Sequence, residues 1–158
     1  MKIKTTSIAF IIVAVIFVTI AVTEISGLWS TASEKTPDII QNGTSGNTYD
    51  PSDIKGSYTF NDVSDFYKID LQVLYKAFNT PQNTDGSAIK IKDINTFNSS
   101  QDVEIGPGSM KIFVALYNNL PIELDGSYLP KQAAEIILQV NTNLTDEQKN
   151  YLISHTLK

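Results

Sequence analysis

The sequence predicts a mainly α protein: a single N-terminal transmembrane helix, then a small helical extracytoplasmic domain with room for one short strand pair. Three observations lead there. Residues 5–23 form an uncharged, apolar run. Beyond residue 58, apolar side chains recur three and four positions apart behind residues suited to cap helices. Strict alternation of apolar and polar residues is prominent only at residues 89–94, "IKIKDI".

The anchor comes first. A helix rising about 1.5 Å per residue over residues 5–23 spans about 28 Å, close to the hydrocarbon thickness of a bilayer. Lys2 and Lys4 precede the run and Glu24 follows it, so the positive-inside bias puts the N-terminus in the cytoplasm and the rest of the chain outside. Trp29 then falls near the outer interface. A cleaved secretory signal shares the basic start and apolar centre. Its best small-x-small site, Ser30 to Ala32, lies well beyond the run, and both readings put the following chain on the same side.

Residues 30–52, "STASEKTPDIIQNGTSGNTYDPS", are rich in Ser, Thr, Asn, Gly and Pro and read as a flexible tether. In "GSYTFNDVSDFYKIDLQVLYKAF", Thr59 caps a helix with Asp62 three residues on, and Val63 and Phe66 share a face. Ile69 lies in the turn, Asp70 caps a second helix, and Leu71, Leu74 and Phe78 follow at helical spacing before Asn79 and Pro81. Two such short helices are marginal alone and must pack on other elements.

After a polar loop, residues 89–94 read as a short strand with Ile89 and Ile91 inward. A third helix is expected from Ser109, its cap. Ile112, Phe113, Leu116 and Tyr117 make one apolar face and Val114 and Ala115 widen it, so this helix belongs at the centre. A fourth opens at Pro130, with Ala134, Ile137 and Val140 along one side and Ala133 and Ile136 beside them. The last starts at Thr145 with Gln148 three residues on, followed by Tyr151, Leu152 and His155. The expected organisation is a stub and anchor over 1–29, a tether over 30–52, a helical hairpin module over 53–96 and a C-terminal helical module packed on it over 97–158.

Composition narrows function. With 158 residues, 42% of them hydrophobic, and 7 Tyr, 7 Phe and 1 Trp, the chain can build a modest core unaided. There is no cysteine, which excludes disulfides, thiolate metal sites and cysteine nucleophiles. The net charge is −5. That charge, a second hairpin helix with only Lys76 as a cation in its body, and an outside location all oppose reading the hairpin as a DNA-binding element.

The remaining motifs carry little chemistry. "EIGPGS", residues 104–109, sets glycines before a helix start where an anion could sit, but lacks the Lys-Ser/Thr ending of a phosphate loop. His155 is the single histidine and sits near the end of the sequence, with no nucleophile-elbow pattern. Asp62, Asp65 and Asp70 read as helix starts and solvated faces. Asn42, Asn98 and Asn143 begin Asn-x-Ser/Thr sequons. The order strand, helix, helix, strand over "SYTF", the hairpin and "IKIKDI" follows that of a lysin motif, without its Gly-Asp-Thr-like opening.

"PSDIKGSYTFNDVSDFYKIDLQVLYKAF" resembles a small helical module of uncharacterised prokaryotic membrane-anchored proteins, some linked to polyferredoxin-type electron-transfer proteins. Asp53, Ile54, Lys55 and Gly56 correspond to that module's Asp-Ile-Arg-Gly start, whereas Lys68, Ile69 and Asp70 replace its Gly-Ile-Pro turn. "EIGPGSMKIFVALYNNLPIELDGSYLPKQAAEIIL" and "LTDEQKNYLISHTL" look like the C-terminal part of such proteins. The resemblance implies an accessory role beside a membrane complex and brings no catalytic residue with it.

The expectation is a non-enzymatic binding or scaffolding domain, held to the bilayer through residues 5–23 and meeting a membrane or envelope protein rather than nucleic acid. No catalytic residue, cofactor or metal ligand is assigned. The expected contact surface is Tyr58, Phe66, Tyr67 and Tyr75 on the hairpin, or Tyr117 and Tyr128 near the C-terminal module. The alternative is a lysin-motif-like binder of cell-wall glycan.

Overall fold

The structure, a computed structural model, describes residues 12–18, 36–40, 48–98 and 103–157. The chain divides into two units, Met1–Glu34 and Lys35–Lys158. In the first, residues 12–18 are helical and their side chains are exposed. The rest of the expected 5–23 span lies outside the described residues, and among those described no helix is long and apolar enough to cross a membrane.

The second unit is mainly helical, and its first contacts fall inside the stretch expected to be a tether. Residues 36–40 and 48–50 pair antiparallel around Ile39 and Tyr49, through Ile40 N–H to the Thr48 carbonyl (2.9 Å) and Asp50 N–H to the Asp38 carbonyl (2.7 Å). Tyr49 lays its ring edge-on to Phe66, with centroids 5.2 Å apart, and the Tyr67 hydroxyl donates to the Asp50 carbonyl at 2.8 Å. One aromatic residue in a polar run is enough to tie this part of the segment down. A 3-10 turn, Pro51–Asp53, leads into the hairpin.

Helix α1, Phe60–Tyr67, starts with both arms of the expected capping box. Asp62 N–H donates to Thr59 Oγ1 at 3.2 Å, and Thr59 N–H to Asp62 Oδ2 at 2.8 Å. Such a cap contributes about 1 kcal/mol. The helix buries Phe60, Val63 and Tyr67 and stops at Lys68, which is left-handed at φ 56°. Asp70 caps α2, Leu71–Ala77, by accepting from Gln72 N–H at 2.7 Å.

Residues 89–94 differ from expectation. Ile89 and Ile91 do point inward, at 4% and 0% exposure, but pairing with the start of α1 amounts to a single antiparallel bridge, Thr59 with Lys90. The chain then winds into a 3-10 helix, Ile91–Phe97. Ile94, also fully buried, sits three residues after Ile91, and three residues is one 3-10 turn.

Helix α3, Pro107–Tyr117, is the central helix, burying Met110, Ile112, Phe113, Val114, Ala115 and Leu116. It begins earlier than expected. Pro107 occupies the first turn, where its missing N–H costs nothing, and Ser109 is no cap: its buried hydroxyl reaches back to accept from Gly106 N–H at 3.2 Å. Helix α4, Lys131–Val140, follows Pro130 and buries Ala133, Ala134, Ile136 and Ile137. Val140, expected on that inner side, is instead 53% exposed. Helix α5, Asp146–Ser154, has the expected capping box between Thr145 and Gln148, and its far end returns to pair Thr156 with Leu129 in a parallel bridge.

One hydrophobic cluster runs from Ile54 through to Leu152, so the two expected modules share a core. Its aromatic spine passes from Phe60 to Phe78 (6.2 Å) and on to Phe113 (5.4 Å). Three asparagines fasten the ends of helices contributed by other parts of the chain. Asn118 Nδ2 donates to the Tyr67 carbonyl at the end of α1, Asn98 Nδ2 to the Phe78 carbonyl at the end of α2, and Asn141 Nδ2 to the Leu116 carbonyl near the end of α3, at 2.9, 2.7 and 2.6 Å. Carbonyls in a helix's last turn lack intrahelical donors, and these amides supply them.

Candidate functional site

The aromatic residues expected at a contact surface divide by burial. Tyr58, Tyr67 and Tyr75 are core residues, at 0%, 5% and 4% exposure, and Phe66, Tyr117 and Tyr128 are half-buried against them or their neighbours. The hairpin therefore presents no open aromatic patch. Tyr67 and Tyr75 reach the edge of the core with their hydroxyls, which donate to the Asp50 and Thr84 carbonyls, both at 2.8 Å. Burial, with Tyr58, Asp50 and Asp53 nearby, pushes the Tyr67 phenol well above its ordinary range.

Tyr58 is different. Its hydroxyl is buried with no hydrogen-bond partner among the described residues, and burial, together with Asp53, Asp62 and Asp38, pushes its pKa up to about 12. Among the described residues no group of three acidic or histidine side chains is placed to hold a metal ion.

His155 stacks on Tyr151, with centroids 4.3 Å apart and planes 6° from parallel, and lies 5.1 Å from the Tyr128 ring. Its Nδ1 is 2.8 Å from Ser154 Oγ. The same oxygen lies within hydrogen-bond reach of carbonyls of its own helix, those of Asn150 (2.9 Å) and Tyr151 (3.2 Å). The pair reads as a helix end, with Tyr151 further held by its hydroxyl bond to the Ser127 carbonyl.

At the start of α3, Glu104, Gly106, Pro107, Gly108, Ser109 and Ser127 line a small polar recess of about 220 Å³. The Glu104 carboxylate on its wall opposes an anion, and Ser109 is committed to Gly106. Gly108 is there for contact: a Cβ on it would stand 2.1 Å from Ser127 Oγ. Of the sequon asparagines, Asn98 is buried with both amide donor bonds made inside the protein, Asn143 is exposed between α4 and α5, and Asn42 lies outside the described residues.

An open concave surface lies elsewhere, between α4 and α5. It is an open groove of about 490 Å³ with Ala134 and Leu152 low on its walls, Leu138 and Ile153 higher up, and Leu157 at one side. Leu138 is 50% and Ile153 79% exposed. On α4 the stripe Lys131, Glu135, Leu138 follows the i, i+4, i+7 positions of one helical face. Lys131 and Glu135 approach to 4.0 Å on the rim, with side chains 65% and 56% exposed, so their mutual attraction is worth no more than about 0.5 kcal/mol.

The groove lies between α5 and the outer side of α4, a helix whose own packing is against α2 and α3. The inner faces of both helices are filled, by Ala133, Ile136 and Ile137 and by Tyr151 and Leu152, which leaves Leu138 and Ile153 exposed a step round each helix. Only one signal in the sequence bears on it: Ile153 stands beside the inner face of Tyr151, Leu152 and His155 without belonging to it.

No protein-family model, curated protein or solved structure matches this chain.

Proposed function

We propose that this chain is a non-enzymatic, membrane-anchored extracytoplasmic binding or scaffolding domain that serves as an accessory to a membrane complex. The observation that carries the reading is the α4–α5 groove, whose Leu138 and Ile153 are exposed on an otherwise well-filled core. A scattered exposed leucine is ordinary, whereas apolar side chains gathered around a concave surface mark a contact site. Anchoring through residues 5–23 would confine the groove to a thin layer beside the bilayer, so a weak contact suffices because the effective concentration of a co-anchored partner is high. The resemblance of the hairpin to the polyferredoxin-associated module supports the accessory role.

The first test is the side of the membrane. The chain has no cysteine, so an Asp65→Cys variant, on the exposed face of α1, offers one thiol to a membrane-impermeant maleimide. Labelling of intact cells equal to that of permeabilised cells is expected. Labelling only after permeabilisation would refute the topology.

A second reading, a lysin-motif-like glycan binder, is favoured by the antiparallel bonds flanking the helical hairpin: Phe60 N–H to the Ile89 carbonyl (3.1 Å) and Ile91 N–H to the Tyr58 carbonyl (2.8 Å). Sedimentation with purified cell-wall polymer separates the readings. Retention that survives Ile153→Glu would favour the glycan binder.

A further inference from the structure

We propose that the α4–α5 groove is occupied by the same groove of a second copy of this chain, in a two-fold arrangement that inserts Ile153 of each copy beside Leu138 of the other. The proposal rests on the reading of the groove as a docking face and adds what fills it. Two observations select a second copy.

The surface is both knob and hole: Ile153 stands 79% exposed on the α5 wall above a hollow floored by Ala134 and Leu152. A two-fold contact uses one patch twice and so requires a patch that complements itself. The charges on the rim meet the same requirement. Lys131 and Glu135 place one cation and one anion on the α4 edge, weakly engaged with each other at 4.0 Å, and a two-fold lets Lys131 of each copy face Glu135 of the other.

A lipid surface fits less well. Apolar patches that dock on bilayers are bordered by an excess of Lys and Arg, whereas α4 and α5 carry Lys131 and Lys149 against Glu135, Asp146 and Glu147, on a chain of net charge −5. The groove is also short, so the contact is weak in dilute solution and strengthens when both copies share one membrane.

The test uses the full chain in its membrane. An Ile153→Cys variant, treated with a short bismaleimide, should give a cross-linked dimer, while Asp65→Cys on α1 should give at least about tenfold less, the difference expected of a specific over a random encounter. In the Ile153→Cys background, Lys131→Glu alone or Glu135→Lys alone should each reduce cross-linking several-fold. The two together should restore it, since a self-complementary rim survives exchange of its signs. Both rim side chains are solvent-exposed, so melting temperatures should stay unchanged and a folding defect is excluded directly.

Equal cross-linking at Cys variants of positions 65 and 153, none at 153, or no restoration by the double exchange would overturn the proposal. So would protection of the Ile153→Cys thiol from maleimide in membranes without cross-linking, the outcome expected for a lipid occupant. The same thiols report topology through the impermeant reagent. A chain labelled from outside but not cross-linked loses the dimer and keeps the docking face; a chain labelled only after permeabilisation loses the extracytoplasmic reading itself.

Discussion

Replacing Asn98 by alanine should remove one of the fastenings that hold the hairpin to the rest of the core. Its Nδ2 donates to the Phe78 carbonyl at 2.7 Å and to the Ile94 carbonyl at 3.0 Å, and its Oδ1 accepts from Asn79 Nδ2 at 2.9 Å. The side chain is 7% exposed, so water cannot readily replace it, whereas Asn79 is exposed and can rehydrate. A buried acceptor stripped of its donor costs about 1–3 kcal/mol. With two carbonyls affected and some relaxation allowed, Asn98→Ala should cost about 2–4 kcal/mol, a large share of the roughly 5–15 kcal/mol by which a domain is stable. For a unit of this size that corresponds to a drop in Tm on the order of 10 °C. Urea unfolding followed by far-UV circular dichroism gives the number, with the exposed Asp93→Ala as control, expected within about 0.5 kcal/mol of the parent. Asn98→Asp should be at least as damaging at neutral pH, because a carboxylate would face two carbonyls, and should partly recover in acid as it gains a proton. A loss below about 0.5 kcal/mol for Asn98→Ala would refute the assignment of these bonds as structural ties.

Other residues give shorter tests, all readable by the same unfolding experiment. Tyr58→Phe removes a buried hydroxyl with no partner among the described residues, so it should be neutral or stabilise by up to about 1 kcal/mol, whereas Tyr67→Phe, which breaks the bond to Asp50, should cost about 1 kcal/mol; a larger loss at Tyr58 than at Tyr67 would contradict the burial argument. Gly108→Ala should change stability by no more than about 1 kcal/mol, because Ser127 Oγ can rotate away from the added carbon and alanine suits a helix better than glycine, and Gly126→Ala, with nothing within 4 Å of the added carbon, should be close to neutral. Tyr58 and Tyr151 are pushed up to about 12 and an unfolded tyrosine titrates near 10. Their contribution is thus whole below about pH 10 and is lost as pH rises from about 10 toward 12, where the unfolded state has released protons that the folded state still holds; a flat urea midpoint across that window would sink the prediction.

The helix starts were legible because capping is local. Thr59 with Asp62, Asp70 with Gln72 N–H, and Thr145 with Gln148 each act over two or three residues, and the spacing survives in the sequence as written. The start of α3 was misplaced by two residues because Pro107 and Ser109 both suit a first turn, and a serine can bond backward from inside a helix as well as forward from its cap. Residues 89–94 satisfied two periods at once: Ile89 and Ile91 alternate as in a strand, while Ile91 and Ile94 repeat as in a 3-10 turn, and the partner available at Thr59 was long enough for only one bridge. What no local pattern carries is the fastening of helix ends by Asn98, Asn118 and Asn141, which act over 20, 51 and 25 residues. An asparagine after a helix looks like a stop signal whether or not its amide then ties down another element.

The same distinction explains why tyrosines expected at a contact surface are buried. Tyr58, Tyr67 and Tyr75 carry large rings, and a ring contributes more by burial than any other side chain of comparable entropy cost; polar tips alone do not keep tyrosines outside when a carbonyl such as that of Asp50 or Thr84 lies within reach. These tyrosines were therefore absorbed by the core, and of the large apolar side chains left exposed in the second unit, Ile39 and Phe97 lie elsewhere while three, Leu138, Val140 and Ile153, stand on α4 and α5. Each lies on a short helix whose inner face is already filled by smaller or better-placed neighbours, so its position follows from helical phase and not from a shortage of interior space. Moving Leu138 inward would require α4 to rotate Ala134 or Ile137 outward, trading one exposed aliphatic for another and opening a void against α3. Among the described residues, helical phase thus leaves Leu138 and Ile153 exposed around the groove, where contact with another surface would bury them.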